Sequence, residues 1–277
     1  MSKRLSADEV SRYRRDGFHF PVRVLSPEEA RACRDHLEDH ERATGAPIAG
    51  NMRHKVHLLF TWANALARHP AILDAVEDVI GPDILCWSST FFIKEAQSPS
   101  FVSWHQDATY WGLSTDEVIT AWVAFADAPV ESGAMKFWPG SHLKKQIEHR
   151  DTFDENNLLS RGQEIAVNVP DGAGVDVILR AGEMSLHHVL LAHASGPNTT
   201  DDRRIGLALR YTPPHVRQLK VRDSATLVRG HDPYGNFDPE PAPKADLDTA
   251  ALATHRDAVG RSAKALYSGT DRTTFRA

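Results

Sequence analysis

Cysteine is almost absent from this 277-residue chain, with Cys33 and Cys86 its only two. Two thiols cannot build a disulfide framework, and neither belongs to a Cys-x-x-Cys pattern, so disulfide-stapled folds and cysteine-ligated zinc are excluded. A reducing cytoplasm suits such a chain. Long apolar runs are missing too: nothing approaches the roughly 20 residues of a membrane helix. The N-terminal Ser6-Ala7-Asp8-Glu9 turns acidic before any apolar leader core develops. Secretion and membrane insertion are therefore not expected. A surplus of one charge is also lacking. The formal net charge of −5 offers no field that would attract nucleic acid or an anionic bilayer. A small-molecule partner is the expectation, with the oligomeric state left open. What the chain has is length enough for one large domain, 1–277, with a sizeable core.

Caps, glycines and prolines punctuate it. Ser6-Ala7-Asp8-Glu9 is a capping box, in which Ser6 accepts from a first-turn amide while Glu9 reaches back, and the helix it opens should end near Gly17. Residues 18–25 read as a strand. Ser26-Pro27-Glu28-Glu29 offers a second cap with proline at the first helical position, starting a helix that runs to about Gly45. A third helical stretch begins near His57, and Pro70 restarts it toward Gly81, whose missing Cβ suits a left-handed closing residue. From Ile84 the hydrophobic period shortens. Segments 84–94, 103–107, 118–126, 176–180, 183–187 and 204–213 read as strands broken by Gly, Pro and Asp-rich turns. The fold class is mainly β with flanking helices around an antiparallel core. Residues 143–175, polar and rich in Asp, Glu and Asn, form an insertion that is either a lid or solvated surface. Residues 229–246 read as a loop leading to a C-terminal helix over about 247–268, within a C-terminal part of about 229–268 that either caps the core or forms a subunit contact.

Two short stretches carry chemistry. In Trp104-His105-Gln106-Asp107 one residue separates His105 from Asp107, so on an extended strand both side chains leave the same face and reach one metal. His193, in His193-Ala194-Ser195-Gly196-Pro197-Asn198, supplies a third donor from a distant strand. The three compose a 2-His-1-carboxylate facial triad, which fills one face of an octahedral iron and leaves the other positions open. Fifteen histidines make a downstream His expected by chance, so the surroundings decide. Arg204 adds a guanidinium able to grip the far carboxylate of a bound 2-oxo acid in bidentate fashion. Arg203 competes for that role, and strand alternation lets only one of the pair point inward.

The surroundings are specific. His105-Gln106-Asp107 is followed by Ala108-Thr109-Tyr110-Trp111-Gly112, by the apolar Ala121-Trp122-Val123-Ala124-Phe125, and by Gly133-Ala134-Met135-Lys136-Phe137-Trp138-Pro139-Gly140-Ser141-His142. This succession resembles the phytanoyl-CoA dioxygenase family of iron- and 2-oxoglutarate-dependent oxygenases, over a core of about residues 14–213 and most closely over 104–142 and 181–211. The resemblance implies a double-stranded β-helix, the jelly roll of cupins. It implies His105 and Asp107 as the first two iron ligands and His193 as the distal one. Arg204, rather than Arg203, falls where the family pairs an arginine with the cosubstrate's side-chain carboxylate. Ser195 falls where a hydroxyl joins that arginine, and Trp122 matches an aromatic lining the cosubstrate pocket. Lys55 and Thr90 match weaker positions that touch the cosubstrate.

Fe(II), 2-oxoglutarate and O2 follow as cofactors, and hydroxylation of an unactivated C–H bond, with release of succinate and CO2, as the expected reaction. Related halogenases carry a small residue where Asp107 stands, so the carboxylate argues for hydroxylation. No basic cluster suited to coenzyme A is visible, which favours a small metabolite or natural-product intermediate as substrate. A cupin-like metal-dependent isomerase or hydrolase has no need of Arg204 and Ser195, and a non-catalytic binding protein has no need of the triad. His187 and His188 read as packing neighbours of the metal site, and His142 as structural. Trp104, Tyr110 and Trp111 are candidates for substrate stacking or for core packing.

Overall fold

The computed structural model describes residues 3–271 and Phe275. Its N-terminal half follows the capping signals. Helix α1 (Ala7–Asp16) opens on the Ser6/Glu9 capping box and closes on left-handed Gly17. Strand β1 (Phe18–Arg23) leads to helix α2 (Pro27–Thr44), which has its own capping box from Ser26 and Glu29 and a left-handed Gly45 at its end. The third helical stretch is broken into two: α3 (Thr61–Ala67) and α4 (Pro70–Ile80). Gly81 has φ +92° but an extended ψ of −179°, so it closes α4 without the left-handed turn expected of it.

Three sheets follow. A seven-stranded sheet has the order β1, β9 (Glu183–His188), β4 (Ile119–Ala124), β11 (Arg204–Thr212), β2 (Ile84–Lys94), β12 (Ser224–Arg229), β13 (Asp238–Pro239). It is antiparallel except for the β12/β13 pair. A four-stranded sheet has the order β3 (Val102–His105), β10 (His193–Ser195), β5 (Met135–Phe137), β8 (Val175–Val177). A hairpin of β6 (His149–Asp151) and β7 (Gln163–Ile165) lies within the 143–175 insertion, and helix α5 (Thr249–Leu266) comes last. The two larger sheets are the jelly roll.

Strand alternation sorts the large sheet into two faces. Ile119, Ala121 and Val123 of β4 and Ile205, Leu207, Leu209 and Tyr211 of β11 join Leu37, Ala63, Ile72 and Val76 of the helices in the main hydrophobic core. The opposite residues, Trp122 of β4 and Ala208 of β11, turn inward with Phe137, Leu191 and Val177 in a second core between the sheets. With both faces covered, every residue of β11 is buried. Gly206 is required there. A Cβ on it would lie 1.9 Å from the Trp122 ring, so the missing side chain is what lets that indole cross the strand.

The strand pattern departs from expectation in two ways. The strand read over 103–107 stops at His105, because the Gln106 amide donates to His149 Nε2 (2.8 Å) instead of a ladder partner, and Asp107 opens a single 3-10 turn to Tyr110. Strands β5 and β10, three residues each, carry no alternation long enough to read.

Candidate metal centre

Antiparallel pairing of β10 with β3 sets His193 directly opposite His105, and the two imidazole centroids stand 4.1 Å apart. Asp107, delivered by the turn after β3, places Oδ1 3.4 Å from His105 Nε2. One donor atom from each of the three lies within 4.8 Å of the others, and all three residues are buried.

The backbone fixes the tautomers. His105 Nδ1 lies 2.9 Å from the Ser103 carbonyl and 3.1 Å from that of His193; His193 Nδ1 lies 2.9 Å from the Leu191 carbonyl. Carbonyls only accept, so each Nδ1 carries the proton and each Nε2 keeps its lone pair for a metal. Burial, with His105 alongside, holds His193 well below the usual imidazole range, so it is a neutral donor. Burial alone would raise the Asp107 carboxyl, but the Arg210 guanidinium beside it keeps it well below the carboxylate range and therefore anionic. Two neutral nitrogens and one carboxylate are a donor set that fits Fe(II).

An inner cavity opens beside the triad, lined by Trp122, Thr120, Met135, Ser195, Arg204 and Arg210 among others. Arg204 points into the interior and donates to the Gly133 carbonyl, with its guanidinium 5.4 Å from the Trp122 ring. Arg203 points the other way and is bound to Glu41 (2.8 Å) and Glu95 (2.8 Å). Alternation on entering β11 thus separates the pair as strand geometry requires. Ser195 Oγ accepts from Lys94 Nζ at 2.7 Å. Thr90, read as a cosubstrate contact, does not line this cavity, and its Oγ1 accepts from Arg210 Nη1 at 3.0 Å.

Lys55 does not face this cavity. Its ammonium donates to Glu240 (2.6 Å) and to the Ser224 carbonyl (2.8 Å) in a buried cluster that also takes His57 Nε2 against Glu240 at 3.2 Å. The reading of Lys55 as a cosubstrate contact is therefore corrected: its charge is already neutralised, and φ +47° at Lys55 directs the chain into the turn that aims it at Glu240.

Three inward residues escaped the sequence reading or were set aside by it. Arg210 shares the inward face of β11 with Arg204, its Nε 3.8 Å from Asp107 Oδ2 and its guanidinium 4.9 Å from the Trp111 ring. Lys94 shares the inward parity of Thr90 on β2. In both cases even spacing along a strand was the available signal. His187 lies with Nε2 4.0 Å from Asp107 Oδ2, and burial pushes it down to about 4. It packs on His193 as a neighbour outside the triad.

A second, outer cavity meets the first at Phe92, Asp107 and Arg210. Trp87 and Trp111 form one wall, Asn157, Ser160 and Gln163 of the insertion another, and Ser262 and Leu266 of α5 a third. The insertion is docked there: Asn157 donates to Ser103 Oγ (2.8 Å), and Arg161 binds Asp151, which also accepts from the Tyr110 hydroxyl (2.8 Å). Trp111 thus faces a cavity, Tyr110 braces the insertion, and Trp104 is half-buried beside Gly174. His142 holds the Arg14 carbonyl at 3.1 Å, away from the metal centre.

Comparison with known proteins agrees with this geometry. A solved structure titled "non-heme monooxygenase; ThoJ apo" is 42% identical, with a TM-score of 0.84 over 93% of this chain and 96% of that one. L-proline trans-4-hydroxylase of Streptomyces griseoviridis is 26% identical over 80% of this chain and 94% of its own length. A probable alpha-ketoglutarate-dependent hypophosphite dioxygenase of Stutzerimonas stutzeri is 30% identical over 56% of this chain, which spans only 54% of that relative. The profile of the phytanoyl-CoA dioxygenase (PhyH) family matches residues 13–206, a span that takes in all three metal-site residues, and the chain belongs to that family.

Proposed function

We propose that this protein is an Fe(II)- and 2-oxoglutarate-dependent oxygenase that hydroxylates an unactivated C–H bond of a small metabolite or natural-product intermediate. The convergence of His105, Asp107 and His193, with buried Arg204 lining the adjoining cavity, carries the reading. Iron held by the triad would supply the oxidising chemistry, drawing on O2 and the decarboxylation of 2-oxoglutarate to succinate.

The remaining work belongs to the chain. Arg204 binds the cosubstrate's distal carboxylate, Ser195 donates to it, and Trp122 walls the seat. Arg210, braced by Thr90, holds Asp107 in its anionic form at the junction of the two cavities. The outer cavity receives the substrate between Trp87, Trp111 and the docked insertion, so the 143–175 segment acts as a wall that excludes water. The names of the relatives support this reading: a proline hydroxylase, a monooxygenase and a 2-oxoglutarate-dependent dioxygenase. An isomerase or hydrolase on the same barrel leaves Arg204 without a task. The test is succinate formation across a panel of metabolites. Succinate that depends on Fe(II) and 2-oxoglutarate, and that one metabolite accelerates, supports the proposal. A product formed without 2-oxoglutarate consumption would overturn it.

A further inference from the structure

Lys94 ends β2 in direct register with Arg204 of β11 and is 1% exposed. Its ammonium donates to Ser195 Oγ at 2.7 Å and to the Gly196 carbonyl. Arg204, 2% exposed, donates to the Gly133 carbonyl, while its Nε has no hydrogen-bond partner. Among the described residues no carboxylate pairs with either side chain. Two neighbouring cations removed from water without a counter-ion repel each other and lose hydration, an arrangement that a folded chain keeps only when something else neutralises it. With no counter-ion beside it, burial and the nearby guanidinium push Lys94 down to about 6, and an anion drawn to the pair is what keeps the ammonium charged.

The hydrogen-bond directions say where the neutralising group sits. An ammonium has three protons and no lone pair, so Ser195 Oγ must accept from Lys94, and the hydroxyl's own proton is left to donate elsewhere. Ser195 lines the inner cavity together with Arg204. The loop is packed tightly around this point: a Cβ on Gly133 would lie 2.3 Å from the Gly196 carbonyl oxygen and 2.9 Å from Lys94 Nζ. Lys94 is thereby confined against Ser195.

We propose that Lys94 is a positioning residue for the anion seat: it turns the Ser195 hydroxyl into the inner cavity and, with Arg204, makes that cavity select a 2-oxo acid bearing a second carboxylate. The proposal rests on the inner cavity being the 2-oxoglutarate site.

The experiment is calorimetric titration of the intact Mn(II)-loaded protein with 2-oxoglutarate and with 2-oxobutyrate, which lacks the distal carboxylate. Lys94→Met should weaken 2-oxoglutarate about tenfold or more, the scale of a lost charge-assisted contact, and leave 2-oxobutyrate unchanged. Ser195→Ala should cost less in the Lys94→Met background than in the wild type. If Lys94→Met does not fold, Lys94→Leu is read in its place, whereas Lys94→Gln, which keeps an N–H donor of similar reach, should retain more of the 2-oxoglutarate affinity than either. Equal weakening of both acids, or of neither, makes Lys94 a strut between β2 and the 195–196 segment and overturns the proposal. Arg204→Met separates the two levels. If it abolishes the preference for 2-oxoglutarate while Lys94→Met does not, only the role of Lys94 fails; if neither does, the inner cavity is not the cosubstrate site.

Discussion

At the scale of single residues, the metal centre is a problem in donor supply. His105→Ala or Asp107→Ala removes one of three donors from a site whose walls are otherwise packed, so each variant is expected to stay folded, bind iron poorly and lose turnover. Circular dichroism with metal analysis checks this; iron bound as well as in the wild type, with activity retained, would remove the residue from the triad. Arg204→Ala is expected to raise the KM for 2-oxoglutarate thirtyfold or more, about 2–4 kcal/mol for a sheltered bidentate contact. Arg203→Ala should leave that KM alone, because its partners are Glu41 and Glu95. Steady-state kinetics on both variants decides, and a reversed pattern transfers the role. The meeting of His105, Asp107 and His193 was legible from the one-residue spacing of the first two and the family succession around all three, and the choice of Arg204 over Arg203 came from the family spacing rather than from the residues alone. The place of Lys55 was not legible, since nothing local shows that Glu240, far along the chain, would take its charge.

At the scale of elements, the buried Lys55 and Glu240 pair joins the turn before α3 to the segment after β13. Burial alone would raise the Glu240 carboxyl, but Lys55 and His57 hold it down to about 2. A carboxyl depressed on folding stabilises the native state above its unfolded value of 4.5, and that contribution fades as pH falls toward 2. Glu240→Ala strands the Lys55 ammonium and should cost about 3–5 kcal/mol. It should also flatten the acid limb of the stability curve between those two pH values. Urea melts from pH 7 to 3 test this; a variant as stable as the wild type and with the same acid limb would show that the pair holds nothing together. Gly206→Ala places a Cβ against Trp122 and should cost about 1–3 kcal/mol by overpacking. It should raise the 2-oxoglutarate KM, because the displaced indole walls the cavity. An unchanged KM would detach Trp122 from the seat. The helices were readable from their caps, which are local in sequence. The three-residue strands β5 and β10 were not, because they exist only through the neighbours that pair with them.

At the scale of the whole molecule, the jelly roll brings β3 beside β10 and then closes the outer cavity with two segments from elsewhere, the insertion and α5. Alternating hydrophobicity announced the antiparallel core. The docking of the insertion was hidden, since it depends on pairs such as Asn157 with Ser103 and Asp151 with Tyr110, whose meeting no periodicity encodes. Among the described residues no helix is long and apolar enough to cross a membrane. The proposed activity is oxygen transfer coupled to 2-oxoglutarate. The most direct measurement supplies the Fe(II)-loaded protein with 2-oxoglutarate and 18O-labelled O2 and follows succinate by mass spectrometry. The expected result is succinate carrying one 18O atom, formed only with iron and faster once the true substrate is present. Iron bound at the triad with 2-oxoglutarate recovered intact across the substrate panel would contradict it.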